Sequence, residues 1–111
     1  MGLFSKLGRS ERPGTLRQGS DSDLDHLRAF ATARSGIEGF IEPQTPTTST
    51  TLVLVAGDGE WTRRRIATPK VGFDLGRELA IPVYDVAATG YPARMRAWTA
   101  ARKAAGEPRA T

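Results

Sequence analysis

TTLVLVAGDGEWTRRRIATPK, residues 50–70, is the stretch from which the fold can be read. Leu52 to Val55 is an apolar, β-branched run, Gly57-Asp58-Gly59 is turn chemistry, and Trp61 to Ile66 resumes residues that suit a pleated strand. The pattern predicts a β-hairpin. In its first arm Leu52 and Leu54 face one way and Val53 and Val55 the other, so both faces are apolar and the strand belongs inside a sheet. In its second arm Trp61, Arg63, Arg65 and Ala67 share one face, and Thr62, Arg64 and Ile66 share the other. Gly57 and Gly59 do not make a dinucleotide loop, because the third glycine is missing and a strand pattern follows instead of a helix.

Working outward, Thr68 caps a helix that Pro69 opens, with Val71, Leu75 and Leu79 repeating every four residues as far as about Ala80. Gly72 and Gly76 cost this helix about 1 kcal/mol each in propensity. They are explained by close packing on the sheet. Pro82 ends the helix, Val83 to Ala87 reads as a fourth strand, and the turn Thr89-Gly90-Tyr91-Pro92 leads into a last helix, Pro92 to Ala105. On the N-terminal side, Leu24, Leu27, Phe30 and Ala31 mark an amphipathic helix that ends near Gly36. Ser20, Asp21 or Ser22 caps it, and its acidic first turn suits the helix dipole. The Asp21-x-Asp23-x-Asp25 spacing is not a calcium loop, since His26 stands where the turn glycine belongs and Thr32 where the bidentate Glu belongs. His26 itself reads as a solvated residue on the polar side of that helix. Ile37 to Glu42 is a short strand, and Pro43 and Pro46 hold PQTPTTST in an extended loop that is also a possible phosphorylation target.

The order α-β-β-β-α-β-α implies an α+β fold, a small two-layer sandwich with a mainly antiparallel sheet of about four strands and helices on one face. Residues 1–20 read as a flexible arm, 21–105 as the single domain and 106–111 as a short tail. Leu3, Phe4 and Leu7 beside Lys6 and Arg9 leave open a membrane-surface contact through residues 1–9.

Of the 111 residues none is cysteine and one is histidine. Disulfides, thiolate nucleophiles and cysteine-built metal centres are excluded, and a histidine-built one is disfavoured. The longest apolar run is far short of the roughly 20 residues that span a bilayer, and no signal-peptide pattern opens the chain. The expectation is a cytoplasmic protein without a transmembrane segment, a metal or a cofactor.

The net charge of +4 is unevenly spread: residues 1–60 hold six Lys/Arg against eight Asp/Glu, and residues 61–103 hold nine against three. That is −2 against +6, and the basic half favours an anionic partner. The candidate contact residues are Arg63, Arg64, Arg65, Lys70, Arg94, Arg96, Arg102 and Lys103, with Trp61 and Tyr91 as stacking platforms. RNA or a ribonucleoprotein is the first partner class and an acidic protein surface the second. No RNP1, GxxG or helix-turn-helix pattern names the module. The alternative is a protein-interaction or accessory subunit, with a homodimer among its forms. A small oxidoreductase-type enzyme is a second alternative, but no nucleophile elbow, phosphate loop or paired carboxylate supports catalysis, so the question of an enzyme stays open and leans against one. Asp85, beside Tyr84, is the best isolated acid, and its structural roles would be to bond the Gly90 turn or to pair with Arg94.

DGEWTRRRIATPK followed by LGRELAIPVYDVAATGYPARMRAW resembles a family of small uncharacterised proteins from high-GC Gram-positive (actinobacterial) species. The resemblance covers roughly residues 24–103. Some members carry a generic oxidoreductase label, and the resemblance implies no established activity. A redox enzyme of this size would need a cofactor fingerprint that these residues lack.

Overall fold

The computed structural model describes residues 20–106. The elements are α1 (Asp21–Thr32), β1 (Glu38–Glu42), β2 (Thr51–Val55), β3 (Trp61–Arg65), α2 (Pro69–Leu79), β4 (Val83–Asp85), a single turn α3 (Val86–Thr89) and α4 (Ala93–Ala104). Four strands form one sheet in the order β3-β2-β1-β4. β2 pairs antiparallel with β1 and β3, and β4 pairs parallel with β1. The α+β class and the α-β-β-β-α-β-α order expected from the sequence are those observed, with α3 as one added turn.

Local chemistry sets the element ends. Ser20 caps α1 by accepting from the Asp23 amide, and the Asp23 carboxylate accepts from the Ser20 amide in return, a capping box that uses the acids of the first turn. Thr68 caps α2 by accepting from the Val71 amide, one residue ahead of the proline. The hairpin closes through Ala56 N–H to the Glu60 carbonyl and Gly59 N–H to the Ala56 carbonyl. β4 is shorter than the Val83–Ala87 strand expected, because the Asp85 carboxylate accepts from the Ala87 amide and starts α3 there. That local bond is what Asp85 does; Arg94 pairs elsewhere.

β2 is the inner strand and is apolar on both sides, so both sides must be covered. Leu52, Leu54 and Ile41 face α1 and α2, meeting Leu27, Phe30 and Leu75. Gly72 and Gly76 bring α2 down onto the sheet: a Cβ at Gly72 would press on Ile41 and Ile66, and one at Gly76 on Val83. Val53, Val55, Phe40 and Trp61 point the other way and are covered by Met95 and Trp98 of α4. The helices therefore do not share one face. Two lie on one side of the sheet and the last lies across part of the other, because Val53 and Val55 would otherwise leave apolar surface in water.

Of the N-terminal arm only Ser20 is described, and it serves as the cap of α1; the rest of the arm, the membrane-contact reading of residues 1–9 and the tail beyond Gly106 lie outside the described residues. No helix among the described residues is long and apolar enough to cross a membrane.

Candidate anion-binding face

Register and strand parity sort the eight basic candidates before any contact is considered. Arg63 pairs with Val53 and Arg65 with Thr51, so both project from the α4 side of the sheet, whereas Arg64, opposite Leu52, projects from the α1 side. The arginine triplet is split by the pleat, as its alternation predicted.

Arg64 is taken up by α1. It lies 3.6 Å from the Asp23 carboxylate, donates to the Arg63 carbonyl and donates to His26 Nδ1 at 3.2 Å. With Nδ1 accepting, the His26 proton sits on Nε2 and is donated to Thr62 Oγ1 at 2.7 Å. His26 is thus a half-buried link between α1 and β3, which corrects its reading as a solvated residue. Burial and then the Arg64 charge lower its pKa below 6.5, against a smaller opposite pull from Asp23.

Arg63 is held by Glu42, which accepts from Nε at 2.7 Å and Nη2 at 2.9 Å. The same carboxylate accepts from Thr51 Oγ1 at 2.6 Å and from the Tyr91 hydroxyl. Burial alone would raise the Glu42 pKa, but the bonds from Arg63, Thr51 and Tyr91 together outweigh it and hold the group below the ordinary carboxylate value. Burial and the bond to Glu42 raise the Tyr91 pKa. Glu42 did not figure among the candidates. Its signal was present, since the alternation in IEGFIE puts Glu38, Phe40 and Glu42 on one face, but which cation each acid meets depends on strand order.

Arg94 belongs to the scaffold as well, pairing with Glu38 at 2.7 Å and donating to the carbonyls of Val55 and Ala56. Lys70 pairs with Asp74 along α2, on the far side of the sheet. Trp61 is buried against Met95 and donates Nε1–H to Thr99 Oγ1 at 2.8 Å. The Arg63 guanidinium lies 5.2 Å from the Trp61 ring, and the Arg102 guanidinium 4.7 Å from that of Trp98. Tyr91 stays 36% exposed.

What remains on the open side is a contiguous group. Arg96 donates to the Tyr91 carbonyl, the Tyr91 hydroxyl donates to Glu42, and Glu42 holds Arg63, so these four residues form one chain across the margin of α4. Lys103, seven residues after Arg96, shares its flank of the helix, away from Arg94. Among the described residues no helix packs over the sheet beyond Arg63. A cleft of about 570 Å³ lies there, lined by Glu42, Thr51, Arg63 and Arg65 and by Thr45, Thr47, Thr48 and Ser49 of the loop between β1 and β2. An apolar hollow of about 290 Å³ beside it is lined by Tyr91, Met95, Arg96, Thr99 and Ala100. No cluster of three metal-ligating side chains occurs among the described residues.

The chain matches no family model, no curated protein and no solved structure.

Proposed function

We propose that the protein is a small cytoplasmic, non-enzymatic binding module that meets an anionic partner, RNA or a ribonucleoprotein, on the α4 side of its sheet. The observation that supports this reading is that Arg65 and the partly exposed Arg63 line a cleft on the α4 side of the sheet, while Arg96 and Tyr91 line the hollow beside it. Guanidinium forks match phosphate oxygens, and an exposed tyrosine offers a face to a base. The contact set is narrower than charge alone suggested: Arg64 and Arg94 serve the fold, and Lys70 stands on another surface. The resemblance to the small actinobacterial family belongs to the same proposal and adds no activity to it.

Protein freed of nucleic acid by nuclease and high salt should bind RNA, with an affinity that falls as salt rises. Arg65→Gln, Arg96→Gln and Lys103→Gln together should flatten that salt dependence by about three charges. Absence of salt-sensitive binding to RNA, DNA and heparin alike would sink the reading.

A second reading, a protein-interaction subunit, is favoured by one feature. Tyr84 and Tyr91, both more than one-third exposed, line a hollow of about 260 Å³ together with Phe40 and Pro92. A monomer by light scattering, with a native pull-down that recovers only nucleic acid, would decide against it.

A further inference from the structure

We propose that the hollow between Tyr91 and α4 is a nucleobase subsite, so that the RNA partner is met as a single strand with one base unstacked against Tyr91 and Met95. The hollow measures about 290 Å³ and is lined by Tyr91, Met95, Arg96, Thr99 and Ala100. That is the small end of the range for ligand pockets, with room for one flat ring. Its lining is almost all carbon: the Thr99 oxygen is occupied in accepting from Trp61 Nε1 at 2.8 Å, and the exposed Arg96 guanidinium donates to the Tyr91 carbonyl at 3.2 Å. Tyr91 is fixed at both ends, since its hydroxyl donates to Glu42 while its carbonyl accepts from Arg96. A platform so held loses little freedom when a ring stacks on it.

The charge around the hollow selects among flat apolar occupants. Of its five lining residues one is cationic and none is acidic, and Arg96 meets no carboxylate among the described residues. Lys103 follows two turns along the same flank, about 10 Å on. A base entering here brings its own phosphates to these cations, whereas an apolar side chain of a protein leaves them without a partner. The neighbouring hollow on the Tyr84 side is lined by Glu38 and is the poorer place for a nucleotide. A duplex keeps its base faces stacked inside, so only a single strand, a loop or a bulge supplies the ring. With almost no polar lining atoms to read base edges, the subsite should tolerate any sequence and follow stacking strength. It rests on the proposed function, whose partner it narrows.

The test titrates the full chain, freed of nucleic acid, with a short oligoadenylate and with an oligomer of the same length whose ribose phosphates carry no bases. The chain has two methionines, so with labelled methyl groups the Met95 signal is one of two. Oligoadenylate should move it upfield by ring current, and the abasic oligomer should not. Affinity should be about tenfold lower for the abasic oligomer, and about tenfold lower for oligoadenylate with Tyr91→Leu. Tyr91→Phe loses the same bond to Glu42 but keeps the ring, and should bind oligoadenylate as wild type does, which separates stacking from any loss of stability. A Tyr91→Leu variant that binds like Tyr91→Phe overturns the subsite. So does a Met95 signal that moves with protein concentration alone, the mark of a second copy in the hollow. If the abasic oligomer and heparin bind as tightly as oligoadenylate, the subsite fails and the proposed function stands. If neither binds at low salt while oligoadenylate shifts Met95 through the Tyr91 ring, the charge-led reading fails and the subsite stands.

Discussion

Glu42, at the end of β1, grips Arg63 on β3 across the intervening strand, with both guanidinium bonds shorter than 3 Å. Thr51 of β2 and Tyr91 ahead of α4 bond to the same carboxylate, so one side chain joins three strands and the approach to the last helix. A residue outside the basic stretch thereby ties its first arginine into the frame while leaving the guanidinium side chain partly exposed.

Glu42→Gln should cost about 1–3 kcal/mol, because a partly buried guanidinium loses its charged partner. Urea denaturation checks it. A double-mutant cycle with Arg63→Gln should return a favourable coupling energy of about 1 kcal/mol. The pH dependence has a definite sign. The folded pKa of Glu42 lies below 4.5, so its contribution is present above that value and is lost as pH falls through the folded pKa. The stability gap between wild type and Glu42→Gln should close in that acid window. A variant with Arg63, Arg64 and Arg65 all replaced by alanine would lose stability as well as charge, and is not a clean probe of binding.

The His26 link should make stability sensitive to pH in a higher window. Its folded pKa lies below 6.5, so the unfolded chain binds the proton more readily, and stability present above 6.5 declines as pH falls toward the folded pKa. Protonation adds a hydrogen at Nδ1, where the ring now accepts from Arg64, and places two cations side by side. Asp23 tempers the effect and Arg34 adds to it. Chemical denaturation at pH 7.5 and pH 5.5 should show the loss in wild type and a flatter profile in His26→Gln.

Gly59→Ala should be far more damaging than Gly57→Ala. Gly59 has φ +98°, and a Cβ there would run into the Arg94 carbonyl and the Trp98 side chain where α4 crosses the hairpin turn. A Cβ at Gly57 would meet the Ser35 carbonyl at 3.4 Å, an ordinary contact. The expected penalties are about 2 kcal/mol or more for Gly59→Ala and under about 1 kcal/mol for Gly57→Ala. Thermal unfolding followed by circular dichroism separates the two.

Trp61→Phe keeps the aromatic packing but removes the donor to Thr99. A loss of about 1 kcal/mol is expected, equivalent to a fall in Tm of roughly 4–8 °C for a domain of this size. If calorimetry finds the variant as stable as wild type, the bond does not help to seat α4 on the sheet.

By itself the sequence determined the order of the main elements, since their signals rest on near neighbours, but not the early end of β4 or the added turn α3. Thr68 ahead of Pro69 marks the start of α2, the run Ser20 to Ser22 holds the start of α1 while only the structure selects Ser20 as its cap, and the Gly57–Gly59 turn requires β2 and β3 to pair. The pleat period likewise sent Arg63 and Arg65 to one side and Arg64 to the other. Tertiary structure alone decided that β4 joins β1 in parallel, that α4 covers the face opposite α1 and α2, and which arginines are engaged. The ion pairs of Arg63 and Arg94 with Glu42 and Glu38 span 21 and 56 positions of the chain. Strand order brings those charges together, and it is fixed by the whole apolar core sharing both faces of β2. No local pattern in the sequence records that choice.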